Sequence, residues 1–169
     1  MDEAHPRLTS TQLEAYFALT EVSSLLRHAV EKQLRDVGGL SYVQFQLLAR
    51  LGDAPGGQQR MTDLADGVVY SRSGLTYQAQ VLEDRGLVTR APSPEDERSV
   101  VVSLTDAGRD VLAAVFPGHV AAVRELLFAG LSDGDVDQLA RVLGLARDHL
   151  REAPPRSAGA RRRGRSTAP

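Results

Sequence analysis

Ser71-Arg72-Ser73-Gly74-Leu75-Thr76-Tyr77-Gln78-Ala79-Gln80-Val81-Leu82-Glu83-Asp84-Arg85-Gly86 has the marks of a helix with two unlike faces. Ser71 is a hydroxyl cap, Leu75, Ala79 and Leu82 recur at four-and-three spacing, and Gly86 supplies the stop. Opposite that stripe stand Arg72, Ser73, Thr76, Tyr77 and Gln80, and no acid occurs from Gly67 to Leu82. Upstream, Thr62 followed by Asp63 and Leu64-Ala65 predicts a short helix closing at Gly67, so two helices are joined by a tight turn. Downstream the period changes. Leu87-Val88-Thr89-Arg90 is short and β-prone, residues 91–98 form a charged loop with prolines, and Ser99–Leu104 is a β-branched run, which together predict a β-hairpin.

Helix, short helix, turn, helix and charged hairpin is the order of a winged helix-turn-helix. Such a module sets its second helix in the major groove of double-stranded DNA while the hairpin reaches the adjacent backbone or minor groove. An acid-free outer face suits that role, because a carboxylate there would be repelled by phosphate. The fold class expected is therefore mainly α with a small β-hairpin wing.

Working outward, Thr11-Gln12-Leu13-Glu14 fits a capping box opening a long amphipathic helix that stops at Gly38-Gly39, and Ser41-Tyr42-Val43-Gln44 fits a second, opening a helix through Leu51. Thr105-Asp106 caps a helix in which Pro117 predicts a kink or interruption near Phe116. Ser132-x-x-Asp135 opens a last helix that ends before Pro154-Pro155. The organisation expected is a disordered lead over residues 1–9, one domain over 10–152, and a basic disordered tail over 153–169. A winged helix needs only about 40–105, so the helices over about 11–37 and 106–150 carry apolar stripes that must be buried somewhere, either on that same module or against a partner. An isologous two-fold interface is the natural place, with Leu13, Phe17, Leu139, Leu143 and Leu150 as its expected residues.

The net charge of −2 conceals a division. Residues 153–169 hold five arginines and no acid, +5, which leaves −7 on residues 1–152. The absence of cysteine excludes disulfides, thiolate metal sites, thiol nucleophiles and thiol redox sensing. No run approaches the ~18 consecutive apolar residues of a membrane span, and the start Met1-Asp2-Glu3 is acidic where a secretory signal is basic, so no membrane partner and a cytoplasmic location are expected. His5, His28, His119 and His149 are scattered without ligand spacing, and no Gly-x-Ser-x-Gly, phosphate-binding glycine loop or His-Glu-x-x-His is present. Neither a metal, a cofactor nor an enzymatic activity is expected.

Met61-Thr62-Asp63-Leu64-Ala65-Asp66, Ser71–Thr76, Leu82-Glu83-Asp84-Arg85-Gly86-Leu87-Val88 and above all Asp96-Glu97-Arg98-Ser99-Val100-Val101-Val102-Ser103-Leu104-Thr105-Asp106-Ala107-Gly108 resemble the MarR family of bacterial transcriptional regulators. The resemblance implies a homodimer with interlocking N- and C-terminal helices, acting as a repressor on a pseudo-palindromic operator. It also implies that Arg98 is the wing contact and Asp96 its orienter, the carboxylate holding the guanidinium in one pose. Tyr77 and Val81 depart from the bases that many members carry near these positions. Helices bearing His28 and His119 border an effector cleft in the family, so these two with Tyr16 and Tyr42 are the candidate lining for a small phenolic or lipophilic ligand. An alternative is a helical dimer whose winged-helix module binds protein or sequesters a ligand. Salt-dependent duplex affinity separates the two readings.

Overall fold

The computed structural model describes residues 7–68, 72–94, 96 and 98–152, with Arg72 as backbone alone. The chain runs α1 (Ser10–Gly38), α2 (Tyr42–Asp53), a 3-10 turn (Pro55–Gly57), β1 (Gln58–Arg60), α3 (Met61–Val68), α4 (Arg72–Asp84), β2 (Val88–Pro92), β3 (Val100–Leu104), α5 (Asp106–Val123) leading into a π-helical turn (Arg124–Phe128), and α6 (Asp133–Glu152). This is the mainly α chain with a hairpin wing that the patterning predicts. Residues 1–6, Ser71, and the arginine-rich stretch 153–169 lie outside the described residues.

Local chemistry explains most helix boundaries. Ser41 caps α2 in the expected box, its hydroxyl accepting from the Gln44 N–H while its own N–H donates to Gln44 Oε1 at 3.0 Å. Thr105 caps α5 by accepting from the Gly108 N–H, and Ser132 and Asp135 cap α6 reciprocally. The Ser132 hydroxyl, then its N–H, hold the Asp135 carboxyl below its ordinary pKa. The first helix differs from expectation: it starts two residues earlier, with Thr9 as cap and Gln12 closing the box. Thr9-x-x-Gln12 satisfies the same spacing rule as Thr11-x-x-Glu14, and only the earlier box puts Leu8 and Leu13 at the two positions of a hydrophobic staple. Thr62 likewise lies inside α3 and not at its cap, because the backbone enters α3 directly from β1.

The sheet has the order β1-β3-β2 and is antiparallel throughout. β2 and β3 form the hairpin, Val88 opposite Leu104 and Ala91 opposite Val101. β1 was not legible: Gln58-Gln59-Arg60 is polar and unbranched, and its strand form rests on pairing with Ser103, Val102 and Val101.

The core gathers Leu34, Leu40, Leu47, Leu48, Leu51, Leu64, Leu75 and Leu82, all essentially inaccessible, with Val88 and Val102 from the sheet and Val115 from α5. At ~1.5–3 kcal/mol per buried aliphatic side chain, this cluster supplies the main stabilisation of the winged-helix body. The helix around Pro117 is not interrupted: α5 runs through it. Close by, Gln33 Nε2 donates to the Val115 carbonyl at 3.1 Å, a polar tie from α1 beside the turn that the proline weakens. Asp106–Phe128 has by length and composition the character of a membrane span, although its longest unbroken apolar run is only Val111–Phe116. It packs along α1, and only 6% of its most apolar stretch is buried within the chain.

Candidate nucleic-acid interface

The stripe of α4 is its inner face: Leu75, Ala79 and Leu82 are buried. The outer face therefore presents Ser73, Thr76 and Tyr77, the last 65% exposed despite its aromatic ring. α4 is held on α2 by an amide pair, Gln44 Nε2 donating to Gln78 Oε1 at 2.9 Å. Gln44 is buried and also closes the α2 capping box, so one side chain ties the cap of one helix to the middle of the next.

Gln80 differs from its expected place on the reading face. Its Nε2 donates to Asp84 Oδ1 at 2.7 Å, while its Oε1 accepts from the Arg90 guanidinium. Arg90 in turn grips Glu83: its Nε donates to Oε2 at 2.9 Å and its backbone N–H to Oε1 at 3.0 Å. Both ends of the Gln80 amide are thus engaged in a cluster joining the second half of α4 to β2. That leaves Ser73, Thr76 and Tyr77, near the start of the helix, as its outward polar and aromatic groups.

The wing tip is a closed turn. Ser93 N–H donates to the Ser99 carbonyl at 2.7 Å and Ser99 N–H to the Asp96 carbonyl at 2.8 Å. The Asp96 carboxylate accepts from the backbone N–H of Arg98 at 3.0 Å. The expected contact with the Arg98 guanidinium is replaced by this shorter loop, since a carboxylate in a turn meets the N–H two residues on before any longer partner. Asp96 shapes the turn, and Arg98 stands exposed on it.

Between α1, α2 and α5 lies a cleft of about 230 Å³, lined by Ser23, Leu26, Arg27, Val30, Tyr42, His119 and Val123. The Arg27 guanidinium carbon sits 5.4 Å from the centre of the Tyr42 ring. His119 packs 4.4 Å from Phe45, ring centre to ring centre, and its buried Nδ1 has no hydrogen-bond partner. Burial pushes its pKa below the ordinary imidazole value. Of the four residues expected on a cleft, the structure places Tyr42 and His119 here but not Tyr16 and His28, both exposed. The reason is helical phase: Ser23, Leu26, Arg27 and Val30 define the cleft face, His28 is turned about 100° from Arg27, and Tyr16 sits about 10 Å further along the axis. Tyr16 packs instead beside Phe17, 5.5 Å between ring centres. Among the described residues no group of three or more His, Asp or Glu is placed to hold a metal.

Neither the Glu83–Arg90 grip nor the role of Arg85, whose guanidinium donates to the carbonyls of Gly38 and Gly39, was found from the sequence. The available signal was Gly86. A left-handed reversal there folds the chain back on α4 and brings residue 90 alongside residue 83.

Comparison with known proteins agrees with this geometry. Residues 38–99 match the MarR family model. The crystal structure of Sco3205, a MarR family transcriptional regulator from Streptomyces coelicolor in complex with DNA, is 32% identical, covers 90% of this chain and 94% of its own, and superposes with a TM-score of 0.82. The HTH-type transcriptional regulator YkoM of Bacillus subtilis is 32% identical over 97 residues, 56% of this chain and 62% of that protein's length. CouR from Rhodococcus jostii, solved bound to p-coumaroyl-CoA, is 26% identical over 76% of this chain and 88% of its own, with a TM-score of 0.68. These relatives are regulators and not enzymes, and the chain belongs to the MarR family of winged-helix, DNA-binding transcriptional regulators.

Proposed function

We propose that the chain acts as a homodimeric repressor of a pseudo-palindromic operator and is released by a small phenolic or lipophilic ligand. The observation that carries the DNA reading is the outer face of α4, free of acids from Gly67 to Leu82 within a body of net −7, beside a wing that exposes Arg98. Ser71, Arg72, Ser73, Thr76 and Tyr77 read or approach the major groove, Arg98 enters the minor groove, and Asp96 holds the turn that carries it.

Dimerisation is supported by what one chain leaves uncovered. Leu13 and Phe17 on α1 and Leu143 and Leu150 on α6 are all at least 40% exposed, and α6 buries no side chain. Leu139, half-buried, belongs to the same face of α6. The ligand reading rests on the cleft beside His119 and on CouR, whose solved complex holds an aromatic acyl-CoA. In this chain Arg27 and Ser23 would meet the polar end of a ligand and Leu26, Val30 and Val123 its apolar body.

Duplex binding across a salt series tests the whole. Affinity should fall steeply with ionic strength and drop ~10-fold or more for Arg98→Ala and for Arg72→Ala. Absence of duplex affinity at low salt would favour a protein-binding or ligand-sequestering module instead.

A further inference from the structure

The C-terminus of α1 and the end of α4 meet through one side chain. Arg85 is the first residue beyond α4, and its guanidinium donates to the Gly38 carbonyl at 2.9 Å and to the Gly39 carbonyl at 3.0 Å. These are carbonyls at the end of α1, where the helix dipole is negative and no further turn supplies donors. A planar fork with two parallel donors fixes both distance and angle, which a single ammonium does not.

Both sides of this contact are held. Arg85 lies in a tight helix stop in which Leu87 N–H donates to the Leu82 carbonyl and Gly86 N–H to the Glu83 carbonyl, Gly86 taking a φ of 71°. The Thr105 hydroxyl donates to the Gly86 carbonyl at 2.8 Å, fastening the same stop to the start of α5. On the other side, Gly38 packs so closely on α5 that a Cβ there would come within 2.5 Å of Val115 Cγ1. α1 and α4 share the buried core through Leu34, Leu75 and Leu82 but do not pack extensively along each other, and the Arg85 fork is a hydrogen-bonded link between their ends.

We propose that Arg85 is a positioning residue for operator recognition: by clamping the end of α1 to the end of α4, it sets the separation of the two recognition helices in the dimer. The proposal rests on the homodimeric reading in which α1 belongs to the two-fold interface. α1 then carries the frame of the partner subunit, and each recognition helix is located on that frame through Arg85. Loosening the fork leaves each winged helix intact and lets its spacing to the partner drift.

The probe is a duplex selected from a random-sequence pool by the full-length wild-type protein, with versions carrying one base pair more or one fewer between half-sites. One base pair changes the separation by about 3.4 Å and rotates one half-site against the other, so wild type should discriminate by roughly tenfold or more. Arg85→Met should narrow that discrimination to within about threefold, and Arg85→Lys should fall between, since it keeps the charge but not the fork. A merely structural role would weaken binding to all three duplexes by one factor and leave their ratio at the wild-type value; that result, or no change at all, overturns the proposal. Arg85→Lys, which retains a donor, serves the same comparison should Arg85→Met fold poorly. If the wild type selects a single half-site, or light scattering gives one-subunit mass, the homodimeric reading itself has failed and this proposal with it, a result distinct from an unchanged spacing ratio.

Discussion

Gly108 is a residue whose size is imposed by its surroundings. A Cβ there would lie 2.1 Å from the Leu87 carbonyl oxygen, which is backbone and cannot swing away. Gly108→Ala should therefore cost about 2 kcal/mol or more, read as a lower urea midpoint, where Gly130→Ala, with open space around it, should change little. Sequence alone marks Gly108 as a small residue in a first helical turn but not the carbonyl against it. His119 is a second case. Its pKa is lowered by burial, so the unfolded chain binds more protons than the folded one between the two pKa values, and stability falls as pH drops through about 6.5 toward the lower folded value. His119→Gln should flatten that acid limb in thermal unfolding followed from pH 7.5 to 5, and an unchanged limb would assign it to other groups. The caps show the limit of residue-scale reading: Ser41, Thr105 and Ser132 were legible, while Thr9 and Thr11 both meet the spacing rule and the flanking Leu8 breaks the tie.

Among elements, α4 and the β2–β3 hairpin are tied together by one side-chain cluster. Glu83 and Gln80 on α4 hold Arg90 on β2, Asp84 takes the other end of the Gln80 amide, and the ion pair is closed at 2.8 Å with Arg90 only 20% exposed. A double-mutant cycle of Glu83→Ala and Arg90→Ala should give a coupling of ~1 kcal/mol, more than an exposed pair and less than a fully buried one. Additive effects in urea unfolding would show the two residues to be independent. The elements themselves were readable because each carries its own periodicity and stop signals. β1 was not, since nothing in Gln58-Gln59-Arg60 favours a strand and only the edge of β3 makes it one. The π turn at residues 124–128 also had no sequence signature that we can identify.

For the molecule as a whole, apolar area left outside is the main fact. α1 exposes Leu13, Phe17 and Leu25, α5 exposes Phe116 and Val120, and α6 exposes Leu145 and Leu150. So much uncovered hydrocarbon on three helices calls for a second surface, which the proposed homodimer would supply. The paired substitution Phe17→Glu, Leu143→Glu should give one-subunit mass by light scattering and remove the dependence of Tm on protein concentration. Retention of two-subunit mass would place the interface elsewhere. By itself the sequence determined the helices, the caps of α2, α5 and α6, the hairpin and the acid-free face, because these depend on neighbours within a turn or two and on charge composition. Only the tertiary structure decided that Gln80 serves the wing's base, that Asp96 shapes a turn, that Tyr42 and His119 share a cleft without Tyr16 or His28, and that Arg85 spans to Gly38 and Gly39. Those outcomes join residues far apart in sequence, Arg85 with Gly38 and Tyr42 with His119, and which distant groups meet is set by how the apolar faces pack.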